Sequence, residues 1–175
     1  VTVFELPMYH KLLVVSDVAV IPYPDLSQKT AIVRYLTATA KVLGVERPKI
    51  AAIAPSEQLL ASVQSSVEAA VLAKMADRGQ LGDVVLDGPL ALDVALFEEV
   101  ARTKHLSSPV AGDADCLLMP NLDAANVFFK SANHLCNASL AAMVAGTKAP
   151  CVLTSRGDSA ESKLYSIALA ALSAK

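Results

Sequence analysis

The 175-residue sequence has no tryptophan, only 5% aromatic residues and only three cysteines. Its 15 basic and 17 acidic residues give a net charge of −2, so it lacks the positive field with which a general nucleic-acid-binding protein attracts phosphates. A hydrophobic content of 54% with so little net charge also excludes an intrinsically disordered chain. A chain of this length can bury a core without disulfides. Because the chain as a whole has no positive field, any site for an anion must be formed by a local group of residues.

Long apolar runs and targeting signals are also missing. The longest apolar run, 167–172, is too short to cross a bilayer, and the first residues lack the basic segment of a signal peptide. Cys116, Cys136 and Cys151 are odd in number and have no metal-ligand spacing, which indicates reduced thiols used as small buried hydrophobes. The sequence therefore predicts a cytoplasmic protein with neither a membrane nor a nucleic acid as partner.

Several familiar site motifs are absent. The sequence contains no P-loop, no Gly-x-Gly-x-x-Gly and no Gly-x-Ser-x-Gly, which argues against nucleotide binding through these loops and against an α/β-hydrolase nucleophile. Asp113 and Asp115 are too few carboxylates for a cation site, and a turn before a strand explains them equally well. The histidines are scattered. No metal ligands are predicted.

Short apolar runs alternate with longer helical segments along the chain. The runs are 12–15, 50–54, 84–86, 117–119 and 151–153, and the helical segments are 25–43, 66–76, 91–104, 123–135 and 159–175. This order predicts an α/β fold with three α/β/α layers and a mostly parallel or mixed sheet. Because most runs lack a two-residue alternation, we expect strands covered on both faces. Asp25 and Gln28 form a capping box at the first helix.

Polar, glycine and proline residues follow several of the apolar runs. In open α/β sheets, ligands bind beyond the carboxyl ends of the strands, so these positions are candidates for substrate binding. They include Ser16 and Asp17, the triplet Asp87, Gly88 and Pro89, and the pair Pro120 and Asn121. The alternative is that they are ordinary turn formers and helix caps.

The segment 154–159, Thr-Ser-Arg-Gly-Asp-Ser, joins an apolar run to the last helical segment and is the strongest local constellation. A helix N-terminus there would leave amide N–H groups free, while Ser155 adds a hydroxyl and Arg156 a planar fork suited to phosphate oxygens. Together they would form a compact anion site. The alternative is a capped helix, with Asp158 or Ser159 as the cap and Arg156 pointing into water.

A set of short motifs occurs in a fixed order along nearly the whole chain. They occupy residues 74–80, 87–93, 110–115, 120–130, 148–150, 153–156 and 163–169. With this order and spacing the sequence resembles the phosphate acetyl/butyryltransferase family, most closely its phosphate butyryltransferase branch. The resemblance implies transfer of an acyl group, butyryl or a similar short chain, between coenzyme A and phosphate by direct attack of the thiol on an acyl phosphate. Coenzyme A, acyl-CoA, phosphate and acyl phosphate would be the partners, with no permanently bound cofactor.

The resemblance also implies an architecture. Members of the family are two-domain homodimers with an isocitrate/isopropylmalate dehydrogenase-like fold and a site in the interdomain cleft. Residues 1–150 would form the second α/β domain, and residues 151–175 a final strand and helix that return to the first domain. We therefore expect the N-terminal half of a family member, with most of the first domain, to be missing from this sequence.

The family's functional residues map onto a few positions here. Ser155 and Arg156 match a Ser-Arg pair in which the serine assists at the coenzyme A thiol and the arginine holds the acyl phosphate. The place of the general base is taken by Ser162, which leaves Asp158 and Glu161 as candidate bases.

Asn126 and Lys130 match a substrate-binding Asn…Lys motif. The sequence departs from that motif at three positions, Asn121, Asp123 and Ala125. In addition, Ile21 stands where relatives often have asparagine, which removes a polar group.

Two other functions compete with acyl transfer. The chain could be a catalytically inactive fragment that serves as a dimerisation or binding module of such an enzyme, because a domain cut from a cleft loses half of its ligand contacts. A dehydrogenase of the isocitrate/isopropylmalate type is the third possibility. The lack of an aspartate metal cluster argues against it.

Overall fold

The computed structural model describes residues 1–174, and its centre is a six-stranded sheet with the order β4-β3-β5-β2-β1-β6. The strands are β1 Thr2–Glu5, β2 Leu13–Ser16, β3 Lys49–Ile53, β4 Val85–Leu90, β5 Cys116–Leu118 and β6 Ser139–Ala142. β2 to β5 pair in parallel, whereas β1 is antiparallel to both of its neighbours, β2 and β6. β6 therefore runs in the same direction as β2 to β5, and these five strands end at one edge of the sheet.

Helices cover both faces of this sheet. They are α1 Leu26–Val42, α2 Gln64–Asp77, α3 Leu92–Leu96, α4 Glu98–Thr103, α5 Leu122–His134 and α6 Ala160–Leu172. α1, α2 and α6 contribute to one buried apolar cluster, and α3, α4 and α5 to the other. The predicted three-layer α/β/α fold is confirmed; its likeness to isocitrate dehydrogenase stays a prediction. None of the helices within residues 1–174 has the length and apolar character needed to cross a membrane.

Successive strand residues serve opposite clusters, which explains the continuous apolar runs. Val14 and Cys116 face α1 and α2, while Val15 and Leu117 face α3 to α5. Since both faces are dry, alternation between apolar and polar residues has no physical cause in these strands.

The helix boundaries follow their predicted signals closely, with one exception. At α1 the Gln28 N–H donates to Asp25 Oδ1 at 2.8 Å and the Asp25 N–H donates to Gln28 Oε1 at 2.9 Å, so the capping box is confirmed. The single helix predicted over 91–104 is wrong. Phe97 takes an extended conformation, φ −125° and ψ 111°, and divides the segment into α3 and α4.

The last predicted strand is also wrong. In residues 151–153 only Cys151 pairs, through an isolated bridge with Val144. The edge strand that the sequence did not reveal is β6, whose Ser-Leu-Ala-Ala sequence carries no β-branched residue. α6 packs on β6, where the Ala142 N–H donates to Ser166 Oγ at 2.9 Å. The proposed division at residue 150 stays a prediction, and position 175 lies outside the described residues.

Candidate functional site

We call the edge at which the five parallel strands end the carboxyl edge. The loop after β2 is fixed there by Asp17, whose carboxylate accepts the N–H groups of Ala19, Val20 and Ile21 at 3.0, 3.1 and 2.7 Å. Asp17 therefore shapes the loop with hydrogen bonds to the backbone.

The loop after β2 is joined to the start of α5. The Leu122 N–H donates to the Pro22 carbonyl at 2.9 Å, and Asn121 caps α5 by accepting the Ala124 N–H at 2.9 Å. One turn later the Asn126 side-chain amide donates to the Val18 carbonyl at 3.2 Å. The structure thus places Asn126 at the carboxyl edge, against the loop that Asp17 fixes.

Lys130 lies one further turn along α5 and is exposed. Its Nζ is 5.1 Å from the centroid of the Phe129 ring, and none of the ion pairs in residues 1–174 includes it. Lys130 lies on the same face of α5 as Asn126, because residues four apart are neighbours on a helix.

The segment 154–159 forms a closed turn before α6. The Ser155 N–H donates to Asp158 Oδ2 at 2.7 Å, and the Asp158 N–H donates to the Ser155 carbonyl at 3.1 Å. Asp158 is buried, and Ser159 caps α6 by accepting the Ser162 N–H at 3.0 Å. Of the two caps that the sequence allowed, the structure uses Ser159. Asp158 instead holds the backbone of Ser155.

Arg156 stands at the tip of this turn and is exposed. None of the ion pairs within residues 1–174 involves its guanidinium. The turn also lies at the carboxyl edge, because Leu153 shares a pocket with Ser16 and Ile21. A cation that is not neutralised and a helix N-terminus therefore face the side of the sheet where ligands bind in such folds.

The second candidate base, Glu161, lies in the exposed first turn of α6. Its Oε1 accepts a hydrogen bond from the Tyr165 hydroxyl at 2.7 Å, and this bond raises the pKa of Tyr165. A carboxylate has further lone pairs, so Glu161 can still accept a proton.

Asp87, Gly88 and Pro89 do not follow a strand, as the sequence suggested; they lie inside β4. A Cβ on Gly88 would approach Ala52 Cβ to 2.7 Å, so the glycine permits close packing of β4 on β3. β4 is an edge strand, three strand spacings or about 14 Å from β2, beside whose carboxyl end the turn of residues 154–159 lies. The structure therefore does not bring this triplet together with Ser155 and Arg156.

Sequence reasoning missed Lys29, a buried cation near the carboxyl ends of β3 and β5. Its ammonium group is paired with the carboxylate of Glu68 on α2. A lysine in the first turn of an amphipathic helix looks like a solvated residue, and its partner is 39 positions away, so no local pattern reveals the pair.

Asp113 and Asp115 lie at the opposite edge, where the strands begin, which we call the amino edge. Lys11 Nζ is 2.8 Å from Asp113 Oδ1 and 2.7 Å from Asp115 Oδ1, and Lys49 Nζ is 2.7 Å from Asp113 Oδ2. Burial acts to raise the pKa of Asp113, but hydrogen bonds from Lys11, Lys49 and His10 outweigh it and hold the pKa well below its usual range.

No group of three or more potential metal ligands occurs among the residues that the structure describes. The three cysteines differ in their exposure to solvent. Cys116 is buried, and burial raises the pKa of its thiol, whereas Cys136 and Cys151 are exposed, so the prediction of three buried thiols is wrong for these two.

Comparisons with known proteins agree on one family. The family model described as phosphate acetyl/butaryl transferase matches residues 1–171. A phosphate butyryltransferase from Clostridium acetobutylicum is 46% identical over 172 residues, which is 98% of this chain and 57% of the relative. A phosphate acetyltransferase from Thermotoga maritima is 42% identical over 172 residues, 98% of this chain and 58% of the relative.

Solved structures give the same result for the fold. A branched-chain phosphotransacylase from Enterococcus faecalis V583 superposes with a TM-score of 0.90 at 35% identity, covering 99% of this chain and 62% of the other. The chain thus spans less than two thirds of the length of the relatives it matches.

Proposed function

Because the chain belongs to the phosphate acetyl/butaryl transferase family, we propose that the protein transfers a short acyl group between coenzyme A and phosphate. The observation that carries this proposal is the exposed Arg156 guanidinium at the N-terminal end of α6, on the carboxyl edge of the sheet. A planar cation beside free helix amides suits a phosphate group, which is both substrate and leaving group in this reaction.

In the forward step, the coenzyme A sulfur attacks the carbonyl carbon of the acyl phosphate. A carbon–sulfur bond forms, the bond from carbon to the phosphate oxygen breaks, and phosphate leaves with that electron pair. The thiol must give its proton to a base, because its ordinary pKa near 8.5 leaves little thiolate at neutral pH. Phosphate is the leaving anion, so negative charge grows on its oxygens as the bond breaks.

Arg156 would stabilise that developing charge, and the helix N-terminus would add its partial positive charge. Ser155 would hold the sulfur by a hydrogen bond from its hydroxyl and orient the attack. Asp158 supports both, since its carboxylate already accepts the Ser155 N–H at 2.7 Å and fixes the turn.

Two carboxylates are candidates for the proton acceptor. Asp158 is buried and used by the turn, whereas Glu161 is exposed one turn into α6. We favour Glu161 as the base and Asp158 as a positioning residue. Asn126 and Lys130, which share one face of α5, would bind the substrate. Asp87, Gly88 and Pro89 would take part only in contacts distant from the transferred group.

The test is coenzyme A-dependent release of phosphate from butyryl phosphate. It is measured with the longest form of the chain that its gene encodes and with Ser155→Ala, against Ser107→Ala as a matched control in an exposed loop at the amino edge. We expect turnover by the wild type and the control, and a loss of about 10²-fold in kcat for Ser155→Ala. No release of phosphate by the wild type would refute the function.

A binding or dimerisation module is the second candidate, favoured by the fact that the chain spans only 57% of the Clostridium acetobutylicum relative. For the 175-residue chain alone, sedimentation and a coenzyme A titration separate the two. A dimer that binds no coenzyme A supports the module, and saturable binding supports the transferase.

A further inference from the structure

A pocket of about 130 Å³ lies beside the proposed site, at the carboxyl ends of β2 and β6. Apolar side chains dominate its wall: Val18, Ile21, Ile32, Met143, Val144 and Leu153. We call it the Ile21 pocket. Its place in the sheet differs from that of a larger cavity, about 930 Å³, which lies at the amino edge among charged residues such as Glu98, Arg102 and Asp113.

The Ile21 pocket is close to the proposed reaction centre. Leu153 is part of its wall, and Ser155 follows two residues later, within about 7 Å along the chain. On its other side, the loop that carries Ile21 is held by the hydrogen bond of 2.7 Å from the Ile21 N–H to Asp17. A carbonyl carbon placed at Ser155 and Arg156 would therefore have an apolar cavity next to it.

We infer that the Ile21 pocket receives the hydrocarbon chain of the acyl group and that Ile21 and Leu153 determine its accepted length. The inference rests on the proposed function and names the part of the substrate that each wall contacts. A water molecule takes about 30 Å³ of the liquid, so the pocket has room for about four groups of that size. The propyl chain of a butyryl group fits with room for about one more carbon, and chains with more than about four carbons beyond the carbonyl do not fit.

The apolar wall predicts a simple dependence on chain length. Each methylene moved from water into the pocket strengthens binding about fourfold until the pocket is full. Truncation of Ile21 or Leu153 removes part of the contact, so the gain per methylene should fall while the binding of the phosphate end stays the same.

The test uses 2-oxoalkylphosphonates, in which a methylene replaces the bridging oxygen of the acyl phosphate, so that no transfer occurs. Dissociation constants of the 2-oxopropyl, 2-oxopentyl and 2-oxoheptyl compounds are measured by calorimetry on the longest form of the chain that its gene encodes. Ile21→Ala and Leu153→Ala are compared with Ile167→Ala, which makes the same truncation as Ile21→Ala on the exposed face of α6.

For the wild type and Ile167→Ala we expect about 15-fold tighter binding of the pentyl than of the propyl compound, and a further gain of no more than about fourfold for the heptyl compound. For Ile21→Ala the difference should fall to about fourfold or less. Leu153 is exposed, so its variant should fold even if Ile21→Ala does not. Equal affinities across the series, or full retention of the 15-fold step in both variants, would overturn the inference.

Kinetics separate this failure from failure of the proposed function. A wild-type enzyme that uses acetyl and butyryl phosphate with equal kcat/KM overturns the pocket assignment and leaves acyl transfer standing. If no phosphate is released from any acyl phosphate, the proposed function fails. The phosphonate series then still decides whether the pocket binds the chain.

Discussion

The two edges of the sheet both carry charged residues, but they use them differently. At the amino edge, Lys11 and Lys49 are paired with Asp113, and Lys11 also pairs with Asp115. At the carboxyl edge, Arg156 enters none of the ion pairs within residues 1–174. A charged cluster in a cavity is thus not by itself a site. A cation whose charge is not neutralised is the better indicator.

The amino-edge cluster has a structural task. Asp115 Oδ2 accepts the Lys49 N–H at 2.8 Å, while the Asp115 carbonyl accepts the Val14 N–H at 2.9 Å, so one residue joins β2, β3 and β5. Lys11 then neutralises the carboxylate. These contacts explain why the cavity of about 930 Å³, which borders the cluster, is not where we place the reaction.

Lys29 is an exception to this contrast between the edges, because it is a cation at the carboxyl edge that is already paired. Lys29→Met should lower the free energy of unfolding by about 3–5 kcal/mol, because it leaves the largely buried Glu68 carboxylate without a cation, with only the Gln64 side-chain amide as a partner. Chemical denaturation measures the loss. The double variant Lys29→Met/Glu68→Leu should recover most of it, and a single-variant loss below about 1 kcal/mol would mean that the charge is not held as the structure has it.

A smaller effect is expected at the amino edge. Asp113→Ala should cost about 1–2 kcal/mol of unfolding free energy, because Lys11 and Lys49 lose a shared but partly exposed partner. Its kcat/KM should equal that of the wild type. Asp77→Ala, which breaks an exposed pair with Lys74, is the matched control and should cost less than about 0.5 kcal/mol. Loss of activity in a folded Asp113→Ala variant would place the reaction at the amino edge and contradict its assignment to the carboxyl edge.

The pH dependence of the unfolding free energy tests the role of Asp113 further, with a still smaller expected effect. Because the folded-state pKa of Asp113 is held below its unfolded value near 3.9, its contribution to stability is complete above that value and is lost as the pH falls. The stability difference between wild type and Asp113→Ala should be constant above about pH 5 and shrink below about pH 4. Denaturation curves from pH 3 to 7 measure it. A stability difference between wild type and Asp113→Ala that grows as the pH falls would contradict this prediction.

The sequence predicted what local chemistry determines. The Asp25 capping box depends on residues three positions apart, and it is present. The apolar runs located four strands because burial on both faces demands apolar residues throughout. Ser155 and Arg156 are predicted from residue types that suit an anion before a helix, and their role stays a prediction.

What the sequence could not reveal depends on contacts between distant residues. β6 is a strand because β1 pairs with it, as Thr2 does with Ala142 about 140 positions away, and its own residues give no signal. Asp87 and Gly88 looked like a turn, but pairing with β3 keeps them in β4. The Lys29–Glu68 pair joins two helices.

The most direct measurement compares two arginines, Arg156 at the carboxyl edge and Arg102 at the amino edge. Arg102 is exposed and paired with Glu98 at 2.9 Å. In coenzyme A-dependent phosphate release from butyryl phosphate, Arg156→Ala should lose about 10²-fold in kcat/KM, about 2.7 kcal/mol, with its unfolding free energy within about 0.5 kcal/mol of the wild type. Arg102→Ala should stay within about twofold. A loss below about tenfold for Arg156→Ala, or an equal loss for Arg102→Ala, would contradict the assignment of the reaction to the carboxyl edge.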